Sequence, residues 1–169
     1  GSEMCIRDRP HVIEYRRGLL PEPEREFYIS GDAFVKDWII KVRNDVPDAP
    51  VLVTAGGLLH YFEENKVISL LRMIGQSGNM EVVFDTVNKK GMAMMQKKYM
   101  KQVGHADAQM FFYVDAAKEL AAKIRGNVKV IAEEPYYRYI PKNGLKLSTK
   151  VSMAVSDQFK MVKMIHLKL

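Results

Sequence analysis

The sequence predicts an α/β protein built on a parallel sheet, and three observations lead there. The run VLVT at residues 51–54 is short, apolar and β-branched, as in strands buried on both faces of a parallel sheet. It ends in Ala55-Gly56-Gly57, and after Glu63 and Glu64 an apolar-periodic segment begins, so a strand passes through a glycine turn into a helix. Strand-like and helix-like segments then alternate to the end of the chain, the pattern of a parallel α/β sheet. No internal repeat or low-complexity tract interrupts them.

Each element has a local reason. Pro10 suits a first helical position and opens a helix over residues 10–20, which Pro21 and Pro23 end. Residues 26–29 read as a strand, followed by Ser30-Gly31-Asp32 and a helix to about residue 44. Phe34, Val35, Trp38, Ile39 and Val42 share one face of that helix. Residues 45–50, with two prolines, form a loop before strand 51–54. The helix at 63–75 buries Val67, Ile68, Leu71 and Ile74. A turn at 76–79 leads into strand 80–84, with Asp85 at its end. Helix 91–103, a loop at 104–109, a strand-like run at 110–114 and helix 115–124 come next. Residues 128–132 form a strand and 141–149 a loop. The last strand spans 161–169, with Lys163, Ile165, Leu167 and Leu169 on one face.

Composition narrows the function classes. The 169 residues fall in the usual range of one domain, and a hydrophobic fraction of 47% is ordinary for a globular chain. No run of 18 apolar residues occurs, so no membrane partner and a cytoplasmic location are expected. The net charge of +6 invites a nucleic-acid reading. However, Lys89, Lys90, Lys97, Lys98 and Lys101 are spread singly or in pairs through helices, which describes a solvated face, and no aromatic-interleaved basic motif occurs; no nucleic-acid partner is expected. A single cysteine, Cys5, excludes a disulfide framework. No His/Cys/Glu cluster has metal-ligand spacing, and no Gly-x-Ser-x-Gly elbow supports hydrolase chemistry.

The segments PVLVTAGGLLHYF (50–62), ENKVISLLRMI (64–74) and MEVVFDTVNKKG (80–91) together resemble the carboxyl half of a class I S-adenosylmethionine-dependent methyltransferase. The group they resemble is that of the leucine carboxyl methyltransferases and polyketide O-methyltransferases. Upstream, RPHVIEYRRGLL (9–20) and YISGDAFVKDWI (28–39) resemble the segments after that family's second and third strands. The likeness covers nearly all of residues 10–169. One departure is Gly56, which stands where the family shows an acidic residue between alanine and glycine.

The resemblance implies a Rossmann-like sheet of strand order 3-2-1-4-5-7-6, here lacking its first strands, with an antiparallel last hairpin. Strand 26–29 would then be the third strand, left without a neighbour. Residues 1–9 read as a sequencing-adapter remnant, and residues 10–169 as the carboxyl-terminal part of a single methyltransferase domain. The glycine-rich cofactor loop is expected upstream, so the fragment as given is expected to be inactive. The implied activity is methyl transfer from S-adenosyl-L-methionine to a carboxylate or hydroxyl of a small-molecule acceptor. The alternatives are a non-catalytic α/β interaction domain and a nucleotide-dependent oxidoreductase fragment.

Candidate site residues follow. Asp32 is expected to cap the next helix and, by the resemblance, to accept a hydrogen bond from the adenine amino group, with the Ala33 amide reaching the ring. Asp8 matches the family's ribose-binding acidic residue. Ala55 and Gly56 would line the sulfonium, where a bare backbone permits close approach. His60 and Tyr61 are the catalytic candidates. His60 reads either as a general base or substrate contact, or as a buried core histidine, and Tyr61 as packed on the sheet. A phenol acceptor benefits from a base, whereas an ionised carboxylate needs none. Asp85 is a turn residue or a catalytic acid. Met92, Met95 and Tyr99 share a helical face that reads as core and, by resemblance, borders the acceptor. Arg138, within EEPYYRYIP (133–141), belongs to a packed rim or pairs with an acceptor carboxylate.

Overall fold

The computed structural model describes residues 4–8, 10–20, 24, 26–102 and 109–169. The chain divides into two compact units, residues 1–49 and 50–169.

The first unit is a βαβ crossover followed by a helix. Strand β1 (Met4–Asp8) leads through α1 (Pro10–Leu19) to β2 (Glu26–Ser30), and α2 (Asp37–Asp45) follows. The two strands pair in parallel, with Met4 opposite Glu26 and Asp8 opposite Ser30. Ile13, Tyr28, Ile29 and Ile39 are buried, and the Arg16 guanidinium stacks 5.1 Å from the Tyr28 ring centre.

Two expectations are corrected here. Strand 26–29 does have a neighbour, because residues 4–8 extend beside it; a backbone ladder needs only an extended partner in register, which the α1 crossover supplies. Asp32 does not cap α2, which begins five residues later behind Lys36, with no side-chain cap. The Asp32 carboxylate instead accepts the Phe34 amide at 2.9 Å, a local turn that competes with helix initiation. Ile39 reaches the core as expected, but Val35 is exposed.

The second unit is a four-stranded sheet of order β3-β4-β6-β5. Strand β3 (Val51–Ala55) runs parallel to β4 (Met80–Val87), Val51 opposite Met80 and Ala55 opposite Phe84. Strand β6 (Val162–Lys168) lies antiparallel between β4 and β5 (Lys129–Pro135). Helices α3 (Glu64–Gly75), α4 (Lys89–Gln102), α5 (Ala117–Ile124) and α6 (Leu147–Gln158) complete it. The 3.6-residue period of α3 buries Val67, Ile68, Leu70, Leu71 and Ile74. The period of two in β4 and β6 buries Met80, Val82 and Phe84 with Lys163, Ile165 and Leu167.

Four local readings change. Strand β3 is an edge strand among the described residues and is not buried on both faces: Leu52 is 56% exposed. Strand β4 continues past Asp85 to Val87. Residues 110–114 form no ladder and are held by single hydrogen bonds, among them Val114 N–H to the Val87 carbonyl at 2.9 Å. The loop at 141–149 ends early, because α6 starts at Leu147. Its apolar row Leu147, Val151 and Val155 is exposed while Met153 and Ser156 are buried, so its hydrophobic pattern does not point at the core. The loop at 104–109 lies largely outside the described residues, as does the Tyr99 side chain.

Candidate functional site

The carboxyl end of β3 carries the candidate site of the second unit, and two glycines shape it. Gly57 has φ +64°, a left-handed conformation natural to glycine. A Cβ at Gly56 would meet no atom within 4 Å, so its backbone faces open space. The Gly57 amide donates to Asp85 Oδ1 at 2.6 Å. Because Ala55 pairs with Phe84, the next β4 residue stands beside the turn, and its carboxylate staples the turn to the sheet. Asp85→Ala is therefore expected to remove about 1 kcal/mol of stability by losing that bond. Gly57 amide exchange should accelerate roughly fivefold, the counterpart of that free energy, while β4 core amides stay protected. Unchanged Gly57 exchange would show that the staple is dispensable.

A short 3₁₀ turn, Leu59–Tyr61, follows, pinned by the buried Leu59. His60 is only 8% exposed. Its carbonyl accepts the amides of Phe111 at 2.8 Å and Phe112 at 3.3 Å. Its Nδ1 is buried without a hydrogen-bond partner. Burial lowers the pKa of this imidazole below the ordinary 6.5, and the nearby Asp85 carboxylate opposes that shift without reversing it. His60 is thus neutral at pH 7, with an unsatisfied nitrogen. Tyr61 is 48% exposed, its ring centre 4.5 Å from that of His60, so it does not pack beneath the sheet.

A second cluster at the same sheet edge was not singled out from sequence. Lys163 is 1% exposed; its Nζ donates to Glu133 Oε1 at 2.7 Å and to the Asp115 carbonyl at 2.8 Å. Glu133 Oε2 accepts the Ala117 amide at 3.1 Å, and Asp115 Oδ1 accepts the Lys89 amide at 2.9 Å. The cluster therefore ties together the starts of α4 and α5. Burial alone would raise the Glu133 pKa. The hydrogen bonds from Lys163 and Ala117 and the charges of Lys163 and Lys160 outweigh it, so the net shift is downward. The available signal was a lysine in register with Ile165 and Leu167 on the apolar face of a strand, which demands an acidic partner.

The other sequence candidates sit as follows. Asp32 is exposed and Ala33 half-buried, both in the first unit; the Ala33 carbonyl accepts the Trp38 indole N–H at 3.0 Å. Asp8 ends β1, and its side chain lies outside the described residues. Arg138 is engaged by Glu134 at 2.5 Å, one helical step away in sequence, and this carboxylate raises its pKa. Met92 is buried with Val87 and Met110, while Met94 is exposed. Among the described residues no group of three His, Cys, Asp or Glu could hold a metal, and no helix is long and apolar enough to cross a membrane.

No family model matches the chain. It is 33% identical over 132 residues to the S-adenosyl-L-methionine-dependent methyltransferase dpfgK of Gibberella zeae, an alignment covering 70% of this chain and 43% of that protein. The chain thus spans less than half the length of this relative. Its structure is similar to that of a DUF574 family protein from Streptomyces avermitilis (TM-score 0.64, 13% identity, 98% of this chain and 64% of that one). It is also similar to an O-methyltransferase from neocarzinostatin biosynthesis in complex with S-adenosylmethionine and 2-hydroxy-5-methyl naphthoic acid (TM-score 0.51, 12% identity, 98% and 41%). The chain has the mixed α/β fold of these solved structures.

Proposed function

We propose that the protein is an S-adenosylmethionine-dependent O-methyltransferase acting on a small molecule that presents a hydroxyl group. The observation that carries this reading is the neutral His60, sealed at Nδ1, three residues after the open glycine turn of β3. The residues present fit the cofactor in one testable respect: the uncovered Gly56 backbone leaves room for a ligand to approach.

When bound, S-adenosylmethionine supplies a methyl group on a sulfonium. The chain's own part is to position the acceptor and to handle its proton. In the tautomer protonated on the sealed Nδ1, Nε2 of His60 accepts a hydrogen bond from the acceptor hydroxyl and takes its proton as the oxygen is alkylated. A carboxylate acceptor would give that nitrogen nothing to accept, which is why the hydroxyl is favoured over the carboxylate. Half-exposed Tyr61 borders the same place. Ala55 and Gly56 are assigned to the sulfonium side. Asp32 with the Ala33 amide is assigned to the adenine and Asp8 to the ribose hydroxyls, as the family resemblance implies.

Calorimetry with S-adenosylhomocysteine on the complete gene product tests the reading. Binding is expected, and Asp32→Asn should weaken it by about 1–3 kcal/mol through loss of a charge-assisted hydrogen bond. The melting temperature should not change, because asparagine keeps an Oδ1 to accept the Phe34 amide and residue 32 caps no helix. Absence of binding, or binding of a nicotinamide dinucleotide instead, overturns the proposal.

A further inference from the structure

We propose that Lys163 is a positioning residue for the imidazole of His60, acting through the irregular segment 111–115. This inference rests on the reading of His60 as the group that meets the acceptor.

The turn that carries His60 is held from two sides. On one side Asp85 takes the Gly57 amide. On the other, the Phe111 and Phe112 amides converge on the His60 carbonyl. The segment bearing those amides belongs to no helix or strand. Its place therefore depends on individual contacts: Val114 N–H on the Val87 carbonyl, the buried Phe112 ring 6.5 Å from that of Phe84, Gln96 Nε2 on the Met110 carbonyl, the Lys89 amide on Asp115 Oδ1, and the Lys163 ammonium on the Asp115 carbonyl. Lys163 reaches that carbonyl from β6 while Glu133, on β5, balances its charge and takes the Ala117 amide. An apolar side chain would fill the same space at no desolvation cost, so burial alone does not call for a lysine here. What lysine adds is a donor that bridges a sheet strand to the segment holding His60.

The experiment reads the tether without reading methyl transfer. Lys163→Met combined with Glu133→Gln removes both charges together and leaves no unpaired buried ion, so the double variant is expected to fold. Proton NMR then follows the titration of His60, identified among the four histidines by the signal lost in His60→Gln. The parent imidazole titrates below 6.5 because it is buried. With the tether gone the turn loosens, and the midpoint should climb toward 6.5 as desolvation is relieved. The Phe111 and Phe112 amides should exchange about tenfold faster in the same variant, while amides of the β4 core keep their protection. Glu133→Gln alone retains the Lys163–Asp115 bond; it should fold less stably than the parent, because the buried ammonium loses its counter-charge, yet leave the His60 midpoint where it is. A folded double variant with unchanged His60 midpoint and Phe111 exchange overturns the proposal. So does a double variant that fails to fold while Glu133→Gln folds, since Lys163 would then serve stability alone. Donor binding is measured separately, so failure of the tether leaves the functional reading standing, and the reverse holds too.

Discussion

Lys163→Met is expected to lower the stability of the fold by about 1–3 kcal/mol at pH 7, the cost of leaving a half-buried carboxylate (Glu133, 22% exposed) without its charged partner. Against a typical domain stability of about 5–15 kcal/mol, that is a substantial fraction. The stranded group is Glu133, whose carboxylate would keep only the Ala117 amide for company. The pH dependence carries a definite sign. In the parent the Glu133 pKa lies below its ordinary 4.5, so the pair's contribution is fully present above 4.5 and is lost as pH falls through the lowered folded value. In Lys163→Met the main groups that lower it are gone and burial is left to raise it, so protonation relieves the stranded charge. The stability gap between parent and variant should therefore be widest near neutral pH and shrink below pH 4.5. Urea denaturation at pH 7 and pH 4 measures it. A gap of the same size at both values would mean that lost packing, not the ion pair, accounts for the cost.

Gly91→Ala is expected to destabilise by about 1–3 kcal/mol, the usual cost of forcing an extra methyl into filled space. The sign is informative because alanine in place of glycine inside an exposed helix normally gains close to 1 kcal/mol. Gly91 lies in the first turn of α4, where its amide donates to Asn88 Oδ1 at 2.7 Å, an N-cap bond. The same asparagine donates its side-chain amide to the Phe159 carbonyl at 3.0 Å and its backbone amide to that of Met161 at 3.1 Å. That seam draws the chain before β6 so close to α4 that a Cβ at residue 91 would collide with the Met161 carbonyl oxygen. Backbone on both sides cannot rotate away as a side chain could. A thermal melt of Gly91→Ala equal to or above that of the parent would show that the seam has room to give.

Much of this architecture can be read from local patterns. The period of α3 names its buried face residue by residue, because a helix dictates which side chains share a side. The alternation in β6 places Lys163 with Ile165 and Leu167, and Gly56-Gly57 marks the end of β3. The sequence by itself therefore determined the α/β class, the main strands and the loop where the candidate site lies. Tertiary structure decided what local pattern cannot carry. Asp32 is a strong cap type, yet a bond to the Phe34 amide two residues on held it outside α2. Helix α6 presents its apolar row to the surface, so periodicity had no core to report. Residues 110–114 resemble a strand in composition but form no ladder, meeting the backbone through two bonds to the His60 carbonyl and one to that of Val87. The acid facing Lys163 stands 30 positions away in sequence, and only the pairing of β5 with β6 brings it to 2.7 Å. Local propensity is set by neighbours within a few residues, whereas a buried charge takes whatever partner the chain's long-range pairing supplies.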